Sequence, residues 1–594
     1  MTTEAQSTEQ QRRKLGELAT AEQRLAADPT LSVWVNASAG TGKTKVLSDR
    51  VLRLLLAGVN PGRLLCLTYT KAAAVEMSAR VSKKLSGWAV ASEQELENEL
   101  DKLYGTLPQD QKQAEELKAR ARKLFAVLLD TPGGIKIQTI HSFCQEILKR
   151  FPLEAGVSPY FEIMDDRAAA EAAEEIKNRL IAEIRGNPGS PAAEAMAFLT
   201  ENVSELKFPE IIGTIINERG KISRLFKRWS SAGELLAAQA ARLGVAPDAD
   251  ERELNRLFFD ALPREELKTL LAAWLKSGVR FARRAEKLAA ALQNSAPEDF
   301  TDYTGAFLGS DGEAYKTVAA KAVLENNPRL AEIFAEEAAR VREQTEKQKA
   351  LRVFLATKAV VVLAGELTKG YENYKQAHAL MDYNDMILLT RRLLDDREAA
   401  RWVLFKLDGG IDDILIDEAQ DTSPDQWAII RAVSEEFFVS EDGRRRTVFA
   451  VGDRKQSIYS FQGADPDKFD EMRRYFAQKT DRFKQVDLQV SFRSTPAVLD
   501  TVNRLFSDPK VSAGVASADE KPIHVPFRRG EGGEVELWEL VEPEEGENAD
   551  EWQPPVEHES APTTGTRMAR MIAEKIHAMA NLYLSFPCAP QPYT

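Results

Sequence analysis

The chain has 594 residues and a mass of 66.1 kDa, which at roughly 150 residues per domain corresponds to about four domains. Hydrophobic residues make up 43% of the chain and charged residues 29%, which are ordinary globular values and exclude a disordered, collagen-like or low-complexity protein. The net charge of −13 argues at first against a nucleic-acid partner, but residues 531–560 hold eleven Glu, one Asp and no Lys or Arg, so the acidity is local and excludes no partner.

The first part of the chain has the pattern of a βαβ unit. A polar start with a short helix over residues 1–28 precedes a predicted strand at LSVWV (31–35). A Gly-rich turn leads into a helix that begins at Lys43, and a second strand follows at LLCLT (64–68). Strand, turn, helix and strand in this order predict a parallel sheet with helices on both faces.

The pattern then becomes mostly helical before the strands return. A helix is predicted over 72–85 and a third strand at KIQTI (136–140). From about 150 to 405 the chain shows Ala, Leu, Glu and Arg at helical spacing and little strand signal, which predicts an inserted helical domain. Further strands are predicted, in chain order, at DDILID (412–417), TVFAVGD (447–453) and VDLQVSF (486–492).

A phosphate-binding loop is predicted between the first strand and its helix. Glycines at two positions let backbone N–H groups approach a phosphate, Lys43 would reach the β- and γ-phosphates, and the Thr44 hydroxyl would ligate Mg²⁺. A Gly-rich turn with a surface lysine is the alternative. The predicted loop consists of Ala37, Ser38, Ala39, Gly40, Thr41, Gly42, Lys43 and Thr44.

Further groups for phosphate chemistry follow the later strands. Asp417 can hold Mg²⁺ and Glu418 can orient and deprotonate a water molecule. Gln456 is placed to contact a γ-phosphate, and the fixed charge of Arg493 could stabilise the transferring phosphoryl group. A solvated acidic turn and a surface arginine are the alternatives.

Two aromatic residues and three cysteines give further information about possible ligands. Tyr459 and Phe461 could stack on bases of a single strand, or they could be core residues under a loop. The three cysteines, Cys66, Cys144 and Cys588, are too few and too far apart for a disulfide framework or a four-ligand zinc site. Because no stretch is apolar enough for a membrane span and the start lacks a signal peptide, we expect a cytoplasmic protein with no membrane partner.

Seven motifs in this order resemble superfamily 1 helicases of the UvrD/Rep type. The matching segments are TAEQRLA around Gln23, the phosphate loop, LTYTKAAAVEM (67–77), TIHSFC (139–144), DEAQD (417–421), GDRKQSIY (452–459) and SFRS (491–494). The resemblance implies an α/β fold, with a P-loop NTPase sheet of the RecA-like helicase type and a large inserted all-α domain.

The resemblance also assigns roles, residue by residue. It implies that Gln23 reads adenine and that Lys43, Asp417, Glu418, Gln456 and Arg493 act on ATP–Mg²⁺. The residues that it directs toward DNA are Thr68, Tyr69, Thr139, His141, Tyr459 and Phe461. The domain limits expected from it are 1–150 and 406–510 for the ATP-binding domain, 151–405 for the helical insertion, and 511–594 for an acidic linker and the start of a following domain.

Within that superfamily the chain looks closest to the AddA family of helicase-nuclease subunits, with RecB as a near relative, on TIHSFC, DYNDMI (382–387) and VGDRKQSIYSFQGADP (451–466). This implies 3′ to 5′ movement on DNA, action on single strands and duplex ends in double-strand-break repair, and an AddB-type partner. No second-motor or nuclease motif is found, so an N-terminal portion is expected. Gln462 stands where many UvrD-type relatives have Arg.

Three alternatives remain open. The first is a UvrD-type repair helicase without a nuclease, which recovery of further sequence would distinguish. The second is a module that binds nucleotide, DNA or the AddB-type partner without turnover. The third is a phosphate-loop ATPase that is not a helicase, which DNA-stimulated hydrolysis would exclude.

Overall fold

The structure is a computed structural model. It describes residues 2–204, 207–229, 231–294, 296–395, 402–403, 406, 410–438, 443–460, 463–513, 515, 523–542 and 563–585. Within these ranges, none of the helices combines the length and the apolar character that crossing a membrane requires. Phe461 and Gln462, and residues 543–560 of the acidic segment, lie outside the described residues.

Six parallel strands form the central sheet, in the spatial order β3-β2-β6-β7-β1-β8. Two further pairs, β4 with β5 and β9 with β10, are each two residues long and parallel. The strands are β1 (Ser32–Ala37), β2 (Leu64–Thr68), β3 (Lys136–Thr139), β4 (Glu162–Ile163), β5 (Leu380–Met381), β6 (Asp413–Ile416), β7 (Thr447–Gly452), β8 (Phe483–Leu488), β9 (Val490–Ser491) and β10 (Val525–Pro526).

Helices that precede and follow the insertion in sequence pack on the two faces of the sheet. Before it come α1 (Thr2–Ala26), α2 (Lys43–Leu56), α3 (Lys71–Val90), α4 (Glu93–Tyr104), α5 (Gln111–Asp130), α6 (Ile140–Arg150) and α7 (Pro152–Ala155).

The helical insertion contains α8 (Asp166–Gly186), α9 (Pro191–Asn202), α10 (Phe208–Asn217), α11 (Arg219–Arg228), α12 (Ala232–Leu243), α13 (Glu251–Asp260), α14 (Arg264–Lys276), α15 (Ala282–Asn294), α16 (Phe300–Phe307), α17 (Lys321–Asn326) and α18 (Arg329–Ala377). After it come α19 (Tyr383–Asp395), α20 (Pro424–Ser434), α21 (Pro466–Lys479), α22 (Pro496–Leu505), α23 (Pro509–Ser512) and α24 (Thr564–Ser585). Short 3₁₀ helices occupy Pro61–Arg63, Val279–Phe281, Pro297–Asp299, Ala419–Asp421, Glu435–Phe438 and Arg454–Gln456.

The alternation of side chains along β1 shows how the sheet separates two cores. Val33 and Val35 point into a core shared with α2, α3 and α5. Trp34 points to the opposite face, where its ring lies 5.8 Å from Trp427 and 4.7 Å from Phe469, between ring centroids. Because both faces are covered, the inner strands β1, β2, β6 and β7 are largely apolar and buried, as the sequence pattern suggested, whereas the edge strand β8 exposes Lys484, Gln485 and Asp487.

Helix α18 is the central helix of the helical insertion. It runs for 49 residues, and three separate apolar clusters pack along it. The insertion leaves and re-enters the rest of the chain next to the short pair β4 and β5. Tertiary packing along the whole helix stabilises it, because intrinsic helix propensity alone contributes little to helix stability in proteins.

The structure confirms the predicted α/β fold with a parallel sheet and a helical insertion, and it corrects three details. The helix expected to be short near the start is α1, with 25 residues. The helix expected over 72–85 is α3, which ends at Val90, and the strand expected over 486–492 is divided into β8 and β9. The predicted domain limits stay predictions.

Candidate nucleotide and DNA site at the sheet edge

The motif residues gather at one edge of the central sheet. The phosphate loop follows β1, Tyr69 follows β2, Thr139 ends β3, Asp417 follows β6 and Gln456 follows β7. All six strands are parallel, so their carboxyl ends meet at the same edge. In open α/β sheets this edge is where ligands bind.

The phosphate loop is shaped by two glycines and by the segment after β8. Gly40 and Gly42 have φ angles of +77° and +91°, a backbone region that residues with a Cβ rarely adopt. The Ser491 hydroxyl donates a hydrogen bond of 3.0 Å to the Ala39 carbonyl. A Cβ added at Gly40 would lie 2.5 Å from the Cβ of Arg493. The loop therefore needs glycine at this position because Arg493 passes directly against it.

Hydrogen bonds within the phosphate loop and from Gln23 of α1 fix the base of the loop. The Thr41 hydroxyl donates to the Ser38 carbonyl at 2.8 Å, and both side chains are buried. The Gln23 amide nitrogen donates to the Thr41 carbonyl at 3.0 Å, while its oxygen accepts from Lys45 Nζ at 3.1 Å. The structure thus brings the predicted adenine-reading residue onto the loop. Ala37 ends β1 and Thr44 lies in the first turn of α2.

Lys43 connects the loop to the acidic motif. Its Nζ lies 2.9 Å and 3.2 Å from the two carboxylate oxygens of Glu418, and 3.3 Å from Oε1 of Gln456. The pair is partly buried, with side-chain exposures of 14% for the lysine and 36% for the glutamate. The lysine charge is therefore paired with the carboxylate that is predicted to activate water.

Asp417 has the properties of a metal-binding carboxylate. Burial, and then the neighbouring charge of Glu418, raise the pKa of Asp417 to about 6. Its Oδ1 accepts the Glu418 N–H at 3.0 Å. A divalent cation would add positive charge beside Asp417 and so favour its charged form, which burial disfavours. Mg²⁺ typically binds one or two carboxylates together with waters and substrate phosphates, so Asp417 with the Thr44 hydroxyl fits it.

Glu418 is held in an unusual backbone conformation. Its φ and ψ angles are 47° and 46°, in the left-handed region. For a residue other than glycine this costs on the order of 1–3 kcal/mol and is found most often at functional sites. The turn places the carboxylate in front of Lys43 immediately after a buried strand.

Gln420 is a site residue that the sequence reasoning missed. Its side chain is 1% exposed, and its Nε2 donates to Glu418 Oε2 at 2.9 Å and to Asp421 Oδ2 at 3.0 Å. Its Oε1 accepts the Asp453 N–H at 2.9 Å. A Cβ at Gly452 would lie 2.6 Å from that oxygen. A glutamine among the acids of DEAQD was the available signal, but no spacing rule reveals that it contacts Asp453, the residue immediately after β7.

Gln456 is oriented by the loop that carries it. Its Nε2 donates to Asp453 Oδ2 at 2.7 Å, which turns Oε1 toward Lys43. Asp453 is buried, and its Oδ1 accepts from the backbone N–H and the Nζ of Lys455 at 3.1 Å and 3.0 Å. The amide is therefore fixed before any ligand arrives.

Tyr69 and Tyr459, which are predicted to contact DNA, contact each other through their rings. The rings of Tyr69 and Tyr459 are 4.6 Å apart with an interplanar angle of 37°, and both side chains are half-buried. Burial raises the pKa of Tyr69 to about 12, so its phenol stays protonated. Thr68 is buried, and its hydroxyl donates to the Thr70 carbonyl at 3.0 Å.

Thr139 and His141 lie farther along the same edge. The Thr139 hydroxyl caps α6 by accepting the Ser142 N–H at 3.2 Å, a structural role that the sequence reasoning did not consider. Burial lowers the pKa of His141, which keeps its imidazole neutral at pH 7. The ring meets Tyr383 edge to face, with centroids 5.8 Å apart.

Arg493 lies beside the loop but points to solvent. Its side chain is exposed, and its backbone carbonyl accepts from Arg528 at 3.0 Å. The structure thus places Gln23, Lys43, Asp417, Glu418 and Gln456 together, with Arg493 at the rim. Phe461 lies outside the described residues.

Comparisons with known proteins agree with this geometry. Residues 18–477 match the family described as UvrD/REP helicase N-terminal domain. The chain is 27% identical over 534 residues to the AddA protein of Lactobacillus gasseri, an ATP-dependent helicase/nuclease subunit, covering 81% of this chain and 39% of that protein. The proteins of the same description from Desulforudis audaxviator and Listeria monocytogenes are 29% and 24% identical, over 80% of this chain and 38% of theirs. The chain thus spans about two fifths of the relatives that it matches.

Proposed function

The chain belongs to the UvrD/REP helicase N-terminal domain family, and from this premise we propose that it is the ATP-binding motor portion of an ATP-dependent DNA helicase or translocase. The observation that carries the proposal is the contact of Lys43 with Glu418 and Gln456 at the carboxyl edge of the sheet. One lysine, one carboxylate and one amide converge beside the loop that follows β1.

The residues around Lys43 divide the work of hydrolysing a phosphoanhydride. Lys43 exchanges the Glu418 carboxylate for the β- and γ-phosphates, which frees that carboxylate to accept a proton from water. Gln456, already turned toward the lysine, contacts the γ-phosphate, and Arg493 adds positive charge at the rim. Mg²⁺ held by Asp417 and Thr44 would neutralise phosphate charge. Gln23 holds the adenine.

The aromatic residues at the same edge bind DNA in this proposal. Tyr69 and Tyr459 stack on bases after their rings separate, and His141 and the ends of Thr68 and Thr139 extend the path across β2 and β3. Gln420 supports a link between the two activities, because one buried amide contacts both Glu418 and the loop that leads to Tyr459.

The finer assignments rest on the resemblance to AddA proteins. We propose 3′ to 5′ movement, action on single strands and duplex ends in double-strand-break repair, an AddB-type partner and a cytoplasmic location. The similarity to proteins described as helicase/nuclease subunits supports this assignment over a repair helicase without a nuclease. The domain limits given above belong to the same proposal.

Binding and hydrolysis of ATP–Mg²⁺ with and without a single-stranded oligonucleotide test the proposal. We expect lysine-dependent nucleotide binding and a response of binding or turnover to DNA. Nucleotide binding that survives Lys43→Ala would contradict the assignment of the loop. Lysine-dependent hydrolysis with no DNA binding would favour a phosphate-loop ATPase outside the helicases, and binding without turnover would favour a binding module.

A further inference from the structure

Three successive residues after β8, which we call the rim segment, connect Arg493 to the phosphate loop. The Ser491 hydroxyl donates to the Ala39 carbonyl at 3.0 Å, and the Phe492 N–H donates to the Gly40 carbonyl at 2.9 Å. Arg493 follows with an exposed side chain. Two hydrogen bonds therefore tie the backbone from which this arginine extends to the phosphate loop.

Residues 525–531, which we call the brace segment, pack on the rim segment. Strand β10 pairs in parallel with β9, and the Phe527 N–H continues this pairing by donating to the Ser491 carbonyl at 3.0 Å. The ring of Phe527 contacts the ring of Phe492, with centroids 4.8 Å apart, a distance at which aromatic rings attract each other. Phe527 therefore supports the rim segment through its backbone and through its side chain.

Arg528 contacts the last residue of the rim segment. Its Nη1 donates to the backbone carbonyl of Arg493 at 3.0 Å, and its Nη2 pairs with Glu531 at 2.6 Å. Hydrogen bonds from a charged donor are stronger than those between neutral groups. Because Glu531 orients the guanidinium, the contact with the Arg493 backbone is made by a group that is already in place.

Helix α1 also contacts Phe527. A Cβ added at Gly16 would lie 3.4 Å from the Phe527 ring, and the Arg12 guanidinium lies over that ring, 5.5 Å from its centroid. Arg12 also pairs with Glu531 at 3.3 Å. Phe527 thus contacts both α1 and the rim segment, and each of these contacts the phosphate loop, α1 through Gln23.

We propose that Phe527 and Arg528 are positioning residues of the nucleotide site, which hold the rim segment against the phosphate loop so that the Arg493 side chain reaches the γ-phosphate of ATP. This inference rests on the proposed function and deepens it, because it names the groups on which the role of Arg493 depends. A fixed backbone lowers the entropic cost of placing an exposed side chain on a ligand, since only the rotamers of that side chain remain to be ordered.

Arg529 supplies a matched control for Arg528. It is the next residue and is also half-buried, but its Nη1 donates to Gln11 Oε1 of α1 at 3.2 Å and not to the rim segment. Arg528→Gln and Arg529→Gln therefore remove the same charge from the same segment, and only the first removes a hydrogen bond to Arg493. Phe527→Ala removes the ring contact with Phe492.

The test is the ratio of the affinities of the full chain for ATP–Mg²⁺ and ADP–Mg²⁺, measured by equilibrium titration, because only ATP carries the γ-phosphate. Arg493→Ala should lower this ratio about tenfold or more, as expected for loss of a hydrogen bond to a charged group. Phe527→Ala and Arg528→Gln should each lower it at least about threefold, and Arg529→Gln should leave it unchanged. A general loosening of the fold would weaken both nucleotides alike and would not move the ratio.

A double-mutant cycle tests whether the brace segment acts through Arg493. In the Arg493→Ala background, Phe527→Ala and Arg528→Gln should each leave the ratio within about twofold of Arg493→Ala alone, because substitutions that act through one group are not additive. A further fall as large as that in the wild-type background would show that the brace segment acts independently of Arg493, and would overturn the proposal. Arg528→Gln decides the matter if Phe527→Ala unfolds.

The outcomes separate this inference from the proposed function. If the wild-type chain binds neither nucleotide, the proposed function fails. If binding requires Lys43 but Phe527→Ala and Arg528→Gln keep the wild-type ratio, the proposed function stands and the inference is wrong. If Arg529→Gln lowers the ratio as much as Arg528→Gln does, or if the wild-type chain binds ATP and ADP equally well, the positioning of Arg493 by the brace segment is overturned.

Discussion

Two halves of the sheet edge hold their side chains in different ways. We call Lys43, Glu418, Gln420 and Gln456 the nucleotide half, and Tyr69, Tyr459, His141 and Tyr383 the DNA half. In the nucleotide half every group contacts a partner of complementary charge or hydrogen-bonding type. In the DNA half the contacts that define the arrangement are between rings.

Under the proposed function, this difference determines how each half opens for its ligand. A nucleotide has to displace the Glu418 carboxylate from Lys43, so its binding depends on charge and on the ionisation of neighbouring acids. A nucleic-acid base has to replace one aromatic ring on another, which depends on contact area and geometry. Substitutions that change charge should therefore act on the first half, and substitutions that remove rings should act on the second.

The largest expected effect is on the carboxylate of the nucleotide half. Glu418→Gln should lower ATP turnover by about 10²–10⁴-fold, because an amide cannot accept the proton of the attacking water. ATP affinity should be retained or increased, because the competing partner of Lys43 is weakened. Steady-state hydrolysis and equilibrium binding check the two statements separately. A variant with wild-type turnover would remove Glu418 from the catalytic role.

The next effect is on the lysine itself. Lys43→Ala should lower turnover by about 10²–10³-fold, the range measured for loss of one preorganised charge-stabilising donor. Affinity for a single-stranded oligonucleotide should stay within about twofold, since the rings of the DNA half do not contact Lys43. A coupled hydrolysis assay beside DNA anisotropy checks both. Equal losses of nucleotide affinity and DNA affinity would contradict the claim that charge changes act on the nucleotide half alone.

The DNA half should respond to the loss of a ring. Tyr459→Ala should weaken single-strand binding by about 1–3 kcal/mol, the value of one stacked base, while Tyr459→Phe should behave like the wild type. Affinity for ATP–Mg²⁺ should not change. Thermal unfolding of each variant is the control, because a large fall in melting temperature without a specific loss of DNA binding would show a core role for Tyr459.

In the unmodified protein, lowering the pH should affect the nucleotide half and the DNA half differently. Burial and Glu418 raise the pKa of Asp417 to about 6, so below pH 6 a metal ion must displace a proton, and affinity for ATP–Mg²⁺ should fall up to about tenfold per pH unit. Burial lowers the pKa of His141 from its ordinary value, which favours the neutral imidazole, so DNA binding should depend less on pH than binding of ATP–Mg²⁺ does. Titrations at pH 5, 6 and 7.5 check both.

The raised pKa of Asp417 also affects stability. The unfolded pKa of an aspartate is about 3.9, so between pH 4 and 6 the folded protein binds more protons at Asp417 than the unfolded chain does. The contribution of this group to the free energy of unfolding is therefore greatest below pH 4 and falls as pH rises to 6. Asp417→Asn should remove this slope and the pH dependence of ATP–Mg²⁺ binding.

The smallest effect is expected at the connection between the halves. Gln420→Met keeps the approximate length of the side chain but removes its hydrogen bonds to Glu418, Asp421 and Asp453. Basal ATP binding should change little, while the effect of DNA on turnover should fall about threefold. The ratio of rates with and without DNA measures this. A fall in both rates by the same factor would indicate a structural role only.

The sequence was most informative where one residue type is required by backbone geometry or charge. Gly40 and Gly42 adopt positive φ angles that favour glycine, and a lysine directly after such a loop indicates phosphate binding. The loop and its position after β1 could therefore be predicted. The buried strands could be predicted because parallel strands between two helical layers are apolar on both faces.

The contacts between motifs could not be predicted from the sequence. Gln420 meets Asp453 through a hydrogen bond between two separate strand ends, and the Lys43 pairing with Glu418 joins residues 375 positions apart. Thr139 belongs to a helix cap, a local role that a motif match does not reveal.

The most direct test of a shared sheet edge is the binding of ATP–Mg²⁺ to this chain, with and without a saturating single-stranded oligonucleotide, beside Lys43→Ala. We predict binding that requires Lys43 and an affinity that shifts when DNA is present, with DNA affinity shifting by the same factor when nucleotide is present. Binding that does not depend on the lysine, or two affinities that are wholly independent, would contradict the claim that one sheet edge holds both sites.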